Sequence, residues 1–181
     1  MIVMKYMPTW YCKSIYEIDL QVLKNNNVKY ILTDLDNTLA PYNVALPDER
    51  AINVIETIKK EGFNVIIVSN NTGKRVELFS SKLNVDYISG AKKPFTSTIT
   101  NQLMSRNIPI EECVLIGDQL MTDIKCATRL KCKCVLTEPL VKKEALVTFI
   151  NRKIDRYYRR KYNLADNCTR IDRSDSNESK N

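Results

Sequence analysis

Three uninterrupted apolar runs divide the chain: Tyr30-Ile31-Leu32, Val65-Ile66-Ile67-Val68 and Cys113-Val114-Leu115-Ile116. Short runs of this kind are what a strand looks like when both of its faces are covered in a parallel sheet. Between them the apolar residues recur at helical spacing. Pro47-Asp48-Glu49 opens a helix with Ile52, Ile55 and Ile58 on one face, and Gly62 stops it. Residues 74–83 carry Val76, Leu78, Phe79 and Leu83, and helical patterns follow over 95–104 and 121–130. Short strands at Asp86-Tyr87-Ile88 and Cys134-Val135-Leu136 complete the set. Alternating strands and helices, joined by right-handed crossovers, predict an α/β domain with a Rossmann-like, doubly wound parallel sheet.

Each apolar run stops abruptly at small polar or charged residues. The first leads into Thr33-Asp34-Leu35-Asp36-Asn37-Thr38-Leu39. Carboxylates are depleted from strands and are rarely buried without a partner, so two of them one residue apart need a reason. A divalent cation supplies one: one carboxylate could ligate it and attack an electrophile while the other moves protons. The plainer alternative is a strand-to-helix turn in which Asp or Thr caps a helix. Three further segments weigh against that alternative. The second run ends in Ser69-Asn70-Asn71, and the third in Gly117-Asp118-Gln119 with Asp123 five residues after Asp118. Between them, Ala91-Lys92-Lys93-Pro94 sets a lysine before a proline suited to the first turn of a helix. Ligands of open α/β sheets bind at the carboxyl ends of the strands. Carboxylates for a metal, with a hydroxyl and a cation for phosphate oxygens, make a phosphoryl-transfer set.

These segments resemble the haloacid dehalogenase-type (HAD) phosphatases. The four motifs of that superfamily match Asp34-Leu35-Asp36-Asn37-Thr38, Ser69, Lys93, and Gly117-Asp118 with Asp123, in the family's order. The wording around them, over residues 33–39, 68–71, 93–94 and 116–123, is similar to one branch, the subfamily IIIA, YqeG-type phosphatases. Relatives of that branch include phosphatidylglycerophosphate phosphatases, and the resemblance covers about residues 7–140. It implies a HAD-like fold and a Mg²⁺-dependent phosphomonoester hydrolase working through an aspartyl-phosphate. Asp34 would be the nucleophile and Asp36 the acid and then the base, with Thr38 bracing Asp36. Ser69, Asn70 and Lys93 would hold the phosphate oxygens. Mg²⁺ would sit between Asp34, the backbone carbonyl of Asp36 and Asp118, while Asp123 orients Lys93 or a water on the metal. The implied substrate is phosphatidylglycerophosphate, in phospholipid synthesis. A soluble phosphate ester or nucleotide is the alternative, and an RNA- or ribosome-associated basic module is the non-catalytic one.

Several assignments stay open on the residues alone. Lys92 competes with Lys93, though the proline after Lys93 and the family pattern favour the latter. Asn37, Asn70 and Asn71 could bond substrate or hold their loops. Arg75 reads as a solvent-facing helix residue or a second phosphate contact. About 30 residues separate the first two motifs, and one helix plus one strand consume them, so neither that segment nor residues 70–92 has room for a cap domain. A capless site is open to bulky phosphates on lipid, protein or nucleic acid.

Charge adds a direction. The formal net charge is +7, and residues 142–181 hold 11 Lys and Arg against 6 Asp and Glu, so 11 − 6 = 5 of those charges lie there. Residues 142–165 are expected to form a basic helix with Ile150, Ile154, Tyr157 and Tyr158 near one face. Such a helix suits an anionic membrane surface, or packs its apolar face on the domain. Residues 1–141 would be the phosphatase domain with its lead-in, and 166–181 a disordered tail. The apolar start (Met1, Ile2, Val3, Met4, Tyr6, Met7, Trp10, Tyr11) is a second docking patch or an ordinary lead-in packed on the core. Removing everything after Asn151 should weaken vesicle binding and spare a small aryl phosphate substrate. No apolar run approaches the roughly 20 residues of a membrane span, and Lys5, Pro8 and Lys13 interrupt any signal-peptide pattern. The expected location is cytoplasmic, with a peripheral seat at the inner face of the membrane. The chain has no histidine, so carboxylates must do the proton work, and its six cysteines read as reduced structural thiols rather than a zinc site.

Overall fold

The computed structural model describes residues 6–141 and 149–173. Among these, six parallel strands form one sheet in the order β1-β6-β5-β2-β3-β4. They are β1 Trp10–Cys12, β2 Tyr30–Thr33, β3 Asn64–Val68, β4 Asp86–Ile88, β5 Cys113–Gly117 and β6 Lys133–Thr137. Successive side chains alternate between two cores. Ile31, Ile67, Val114, Ile116 and Val135 enter one, while Leu32, Ile66, Val68, Leu115 and Leu136 enter the other. Helices α1 (Leu20–Asn25), α2 (Glu49–Lys60) and α3 (Lys74–Leu83) contribute Leu23, Ile55, Ile58, Val76 and Phe79 to the first. Helices α4 (Ser97–Ser105) and α5 (Lys125–Leu130) contribute Ile99, Leu103, Cys126, Ala127 and Leu130 to the second. Burial on both faces is why the central strands read as unbroken apolar runs. Phe79 is fully buried, and truncating such a ring to alanine costs about 3–5 kcal/mol.

Local chemistry starts and stops these elements. The Asp48 side chain caps α2 by accepting from the Ala51 N–H at 2.8 Å. The buried stripe of α2 is Ala51, Val54, Ile55 and Ile58, so Ile52, expected on it, is only half-buried. Asn84 ends α3 in the left-handed conformation (φ 50°). Pro94 does not open α4 as its sequence position predicts. The Lys93–Pro94 peptide is cis, and the helix begins at Ser97.

The chain leaves β2 for β3 and β4 on one side, then returns to β5 and β6 on the other. The carboxyl ends of β2 and β5 therefore lie side by side at the reversal of strand order, where ligands of such sheets bind.

The sheet has one strand more than the apolar runs predict. Trp10-Tyr11-Cys12 pairs with β6 in the register Tyr11↔Leu136; three residues are too short to display a period. The polypeptide after β6 also differs from expectation. The described helix α6 spans Phe149–Lys161, the short α7 spans Leu164–Asn167, and residues 169–173 run beside β1. The Tyr11 N–H donates to Thr169 at 2.9 Å, the Ile171 N–H donates to Tyr11 at 3.0 Å, and Ile171 is buried. Of residues 166–173, assigned to the tail on composition alone, 166–167 thus end α7 and 169–171 cover the edge of the sheet. The start of the expected basic helix (142–148), the rest of the tail (174–181) and residues 1–5 of the apolar start lie outside the described residues. Among those described, no helix is long and apolar enough to cross a membrane.

Candidate active site

The ladder between β2 and β5 runs one step past Thr33, because the Asp34 N–H donates to Ile116 at 2.8 Å. That step brings Asp34 to the sheet edge in a buried position. Beyond it the chain turns tightly: Asn37 adopts φ 65°, donates its N–H to Ala40 and accepts from the Leu140 N–H through its carbonyl. Asparagine is among the few residues that tolerate this left-handed geometry. Asn37 therefore holds its loop.

Lys93 reaches the same point from the loop after β4. Its ammonium donates to Asp34 Oδ1 at 2.6 Å and to the Val68 carbonyl at 2.8 Å, and it pairs with Asp123 Oδ1 at 2.7 Å. Asn70 holds the lysine's own backbone in both directions. Its Oδ1 accepts from the Lys93 N–H at 2.6 Å, and its Nδ2 donates to the Lys93 carbonyl at 2.9 Å. Lys92, in contrast, is exposed at φ 56°. Ser69, just past the end of β3, is fully buried, its hydroxyl accepting from the Asn71 N–H at 3.1 Å.

β5 delivers the remaining carboxylates. Gly117 ends the strand, and a Cβ there would lie 2.3 Å from Asp123 Cγ, so only glycine lets that side chain fold back. A π-helical turn over Leu120–Ile124 makes the fold-back, with the Gln119 carbonyl accepting from both Asp123 and Ile124. Asp118 is fully buried, and Thr38 Oγ1 lies 3.5 Å from its Oδ1. Thr38 thus braces Asp118 rather than Asp36, the residue it was expected to support.

Asp34, Asp118 and Asp123 each offer a carboxylate oxygen, and these atoms lie within 4.8 Å of one another. Three buried carboxylates face one ammonium. Burial, the largest influence, pushes the Asp34 carboxyl well above its ordinary value; Lys93 pulls it down, and the charges of Asp123 and Asp118 push it up again. Burial would depress Lys93, but Asp123 and Asp34 outweigh it and hold the ammonium above its ordinary value. With all three carboxylates ionised the cluster carries an excess of two negative charges, which a hard divalent cation on oxygen ligands would balance. The donor set fits such an ion.

Asp36 stands apart from this cluster. Its Oδ1 pairs with Arg75 Nη1 at 2.7 Å, and its Oδ2 accepts from Asn71 Nδ2 at 2.7 Å. Arg75 also donates to the carbonyls of Val44 and Pro41, strapping the loop after Ala40 to Asp36. It is therefore neither a solvated helix residue nor, in this arrangement, free for a phosphate. The structure brings together Asp34, Lys93, Asp118, Asp123 and Thr38. It sets Asn70 behind the lysine as its holder and leaves Asp36 at the rim with Arg75 and Asn71. Reading the sequence names Arg75 but misses its pairing with Asp36, because an arginine on an exposed-looking helix carries no signal of a partner 39 residues away.

The thiols form no second centre. All six are free, and Asp34, Asp118 and Asp123 make the one group of potential metal ligands among the described residues.

A family model described as "Mitochondrial PGP phosphatase" matches residues 3–141. The chain is 36% identical over 151 residues to the probable phosphatase YqeG of Bacillus subtilis (strain 168), covering 83% of this chain and 88% of that protein. It is 26% identical over 153 residues to phosphatidylglycerophosphate phosphatase 1, chloroplastic/mitochondrial, of Arabidopsis thaliana. That match takes in 80% of this chain and 43% of the plant protein, less than half its length. In fold, the chain is similar to the crystal structure of an uncharacterized protein from Listeria monocytogenes serotype 4b. The TM-score is 0.52 at 18% identity, over 66% of this chain and 85% of that one.

Proposed function

This chain belongs to the family described as mitochondrial PGP phosphatase and is a phosphatase, and from that premise we propose that it hydrolyses phosphatidylglycerophosphate through an aspartyl-phosphate with the help of Mg²⁺. The observation that carries the reading is the buried group of Asp34, Lys93, Asp118 and Asp123 at the junction of β2 and β5. An Asp34 oxygen bonds to phosphorus as the bond from phosphorus to the glycerol oxygen breaks, and Asp36 gives that oxygen its proton. Water then attacks, returning a proton to Asp36, and inorganic phosphate leaves with Asp34 restored. Both Asp36 oxygens are held in this structure, so Arg75 or Asn71 releases one for the transfer. Ser69 and Lys93 meet the non-bridging oxygens, and Asn70 keeps Lys93 in place. When bound by Asp34, Asp118 and the Asp36 carbonyl, the cation supplies positive charge against the charge that develops on the phosphoryl group.

The substrate class has separate support. The name of the Arabidopsis relative, the short segments that leave no room for a cap and the outer face of α6 support a lipid. Lys153, Arg156 and Arg160 are exposed on that helix together with Tyr157, which is 57% exposed. A basic face with an interfacial aromatic suits a peripheral seat on an anionic membrane. Phosphate release from phosphatidylglycerophosphate in mixed micelles with Mg²⁺ is the test, with Asp34→Asn in parallel. Release that vanishes in the variant supports the reading. Turnover of an aryl phosphate without release from the lipid keeps the phosphatase and removes this substrate.

A further inference from the structure

Helix α6 has a second face, and it does not look outward. Asp155, an acid in a strongly basic helix, is 2% exposed. It accepts from the Leu120 N–H at 2.9 Å and the Met121 N–H at 3.4 Å. These amides open the π-helical turn after Asp118, where Gln119 occupies the cap position without making a side-chain cap. Asp155 therefore supplies, from 35 residues away, the carboxylate that the turn lacks locally.

One helical turn further on, Arg159 Nη2 donates to the Asp118 carbonyl at 2.6 Å and to the Thr137 carbonyl at 2.8 Å. The last pair in the β5–β6 register is Gly117↔Leu136, so the next would be Asp118 with Thr137. The guanidinium joins the two strands at the level where their own ladder has ended. Its other nitrogen lies 3.7 Å from Glu138.

We propose that Asp155 and Arg159 are positioning residues for Asp118, fixing the peptide groups on its carboxyl side so that its carboxylate is aimed at the divalent cation. The inference rests on the reading of Asp118 as a ligand of that cation. Neither residue is placed on the reacting groups; both act through the backbone. Outer partners that orient a ligand typically change metal affinity by about 10–100-fold when they are removed.

The test is Mg²⁺ binding to the full chain, measured by titration calorimetry without substrate, in the wild type and in Arg159→Ala, Asp155→Asn and Leu23→Ala. Leu23 is buried in the opposite core and serves as a control for lost stability alone. The dissociation constant for Mg²⁺ is expected to rise about tenfold or more in Arg159→Ala and to stay unchanged in Leu23→Ala. Amide exchange at Leu120 and Met121 is expected to quicken in Asp155→Asn, which keeps one acceptor oxygen and decides the matter if Arg159→Ala does not fold. Wild-type affinity in both α6 variants overturns the inference and leaves the metal reading standing. A rise in Leu23→Ala equal to that in the α6 variants also overturns it. A wild type that takes up no Mg²⁺ overturns the metal reading and this inference with it.

Discussion

Asp34 and Asp118 leave neighbouring strands within one residue of the same level of the sheet, yet they are held by different means. Asp34 sits one ladder step past β2, and its turn closes within a few residues through Asn37 and Ala40. Asp118 follows a strand whose ladder has already stopped, and its loop is closed by a helix that comes some 40 residues later. One edge is organised by its own sequence and the other by a remote segment. Short-range motifs thus identify which carboxylates meet, while the orientation of one of them is set elsewhere in the chain. A loop stabilised from outside can also open when its clamp moves, whereas a ladder extension opens only with the sheet.

The contrast can be broken from either side. The largest effect belongs to Asp34→Asn, which is expected to lower phosphate release on the order of 10³-fold or more while the chain still folds. Undiminished turnover would remove Asp34 as nucleophile. Next is deletion of all residues after Asn151, which takes away Asp155, Arg159 and the segment beside β1. Aryl phosphate hydrolysis and Mg²⁺ uptake are expected to fall together, contrary to what the sequence suggests for such a truncation, and preserved hydrolysis would mean that the Asp118 edge needs no clamp. Lys93→Met leaves three buried carboxylates without their ammonium, and breaking a buried pair in this way costs about 3–5 kcal/mol. Chemical denaturation would read that loss, and saturating Mg²⁺ would restore part of it.

A smaller effect is expected from Asn70→Ala, which removes the two bonds to the Lys93 backbone and costs about 1–2 kcal/mol. Unchanged stability and turnover would release Asn70 from its holding role. A last expectation, read by pH and not by mutation, concerns the cores rather than the site. Burial pushes the Cys12, Cys113 and Cys126 thiols up to about 12, from 9.0 in the open chain. The folded state therefore keeps protons that the unfolded chain gives up, and stability contributed by these thiols is full below pH 9 and lost as pH rises towards 12. Denaturation midpoints measured across that window should decline, and slow native alkylation at pH 8 should accompany them.

Much of the fold was legible because burial on both faces leaves a continuous apolar run, and three of the strands that deliver the site, β2, β3 and β5, follow from that. Asp34, Lys93, Asp118 and Asp123 were legible for a related reason: charge at the end of a buried strand needs a partner, and the partners lie at other strand ends. β1 was not, since Trp10-Tyr11-Cys12 is too short to show a period and exists as a strand only through β6 and residues 169–171. The role of Thr38 depended on side-chain direction in a turn, which spacing does not give. In α6, helical periodicity placed Tyr157 with Ile154 and Tyr158 on one face, but Tyr157 is outward and Asp155 inward. A lone acid among arginines was the available signal, and it became readable only once the free amides of residues 120 and 121 were in view.

The clamp from α6 also sets an order in time. At about 5–20 residues per second of synthesis, Arg159 is joined to the chain roughly 2–8 s after Asp118. During that interval a nascent chain holds every residue assigned to the chemistry but not the helix that closes the Asp118 loop. The catalytic edge then settles late, before only the β1 edge that residues 169–171 cover, and a translation pause between residues 137 and 159 would lengthen the life of an idle enzyme rather than of an active one.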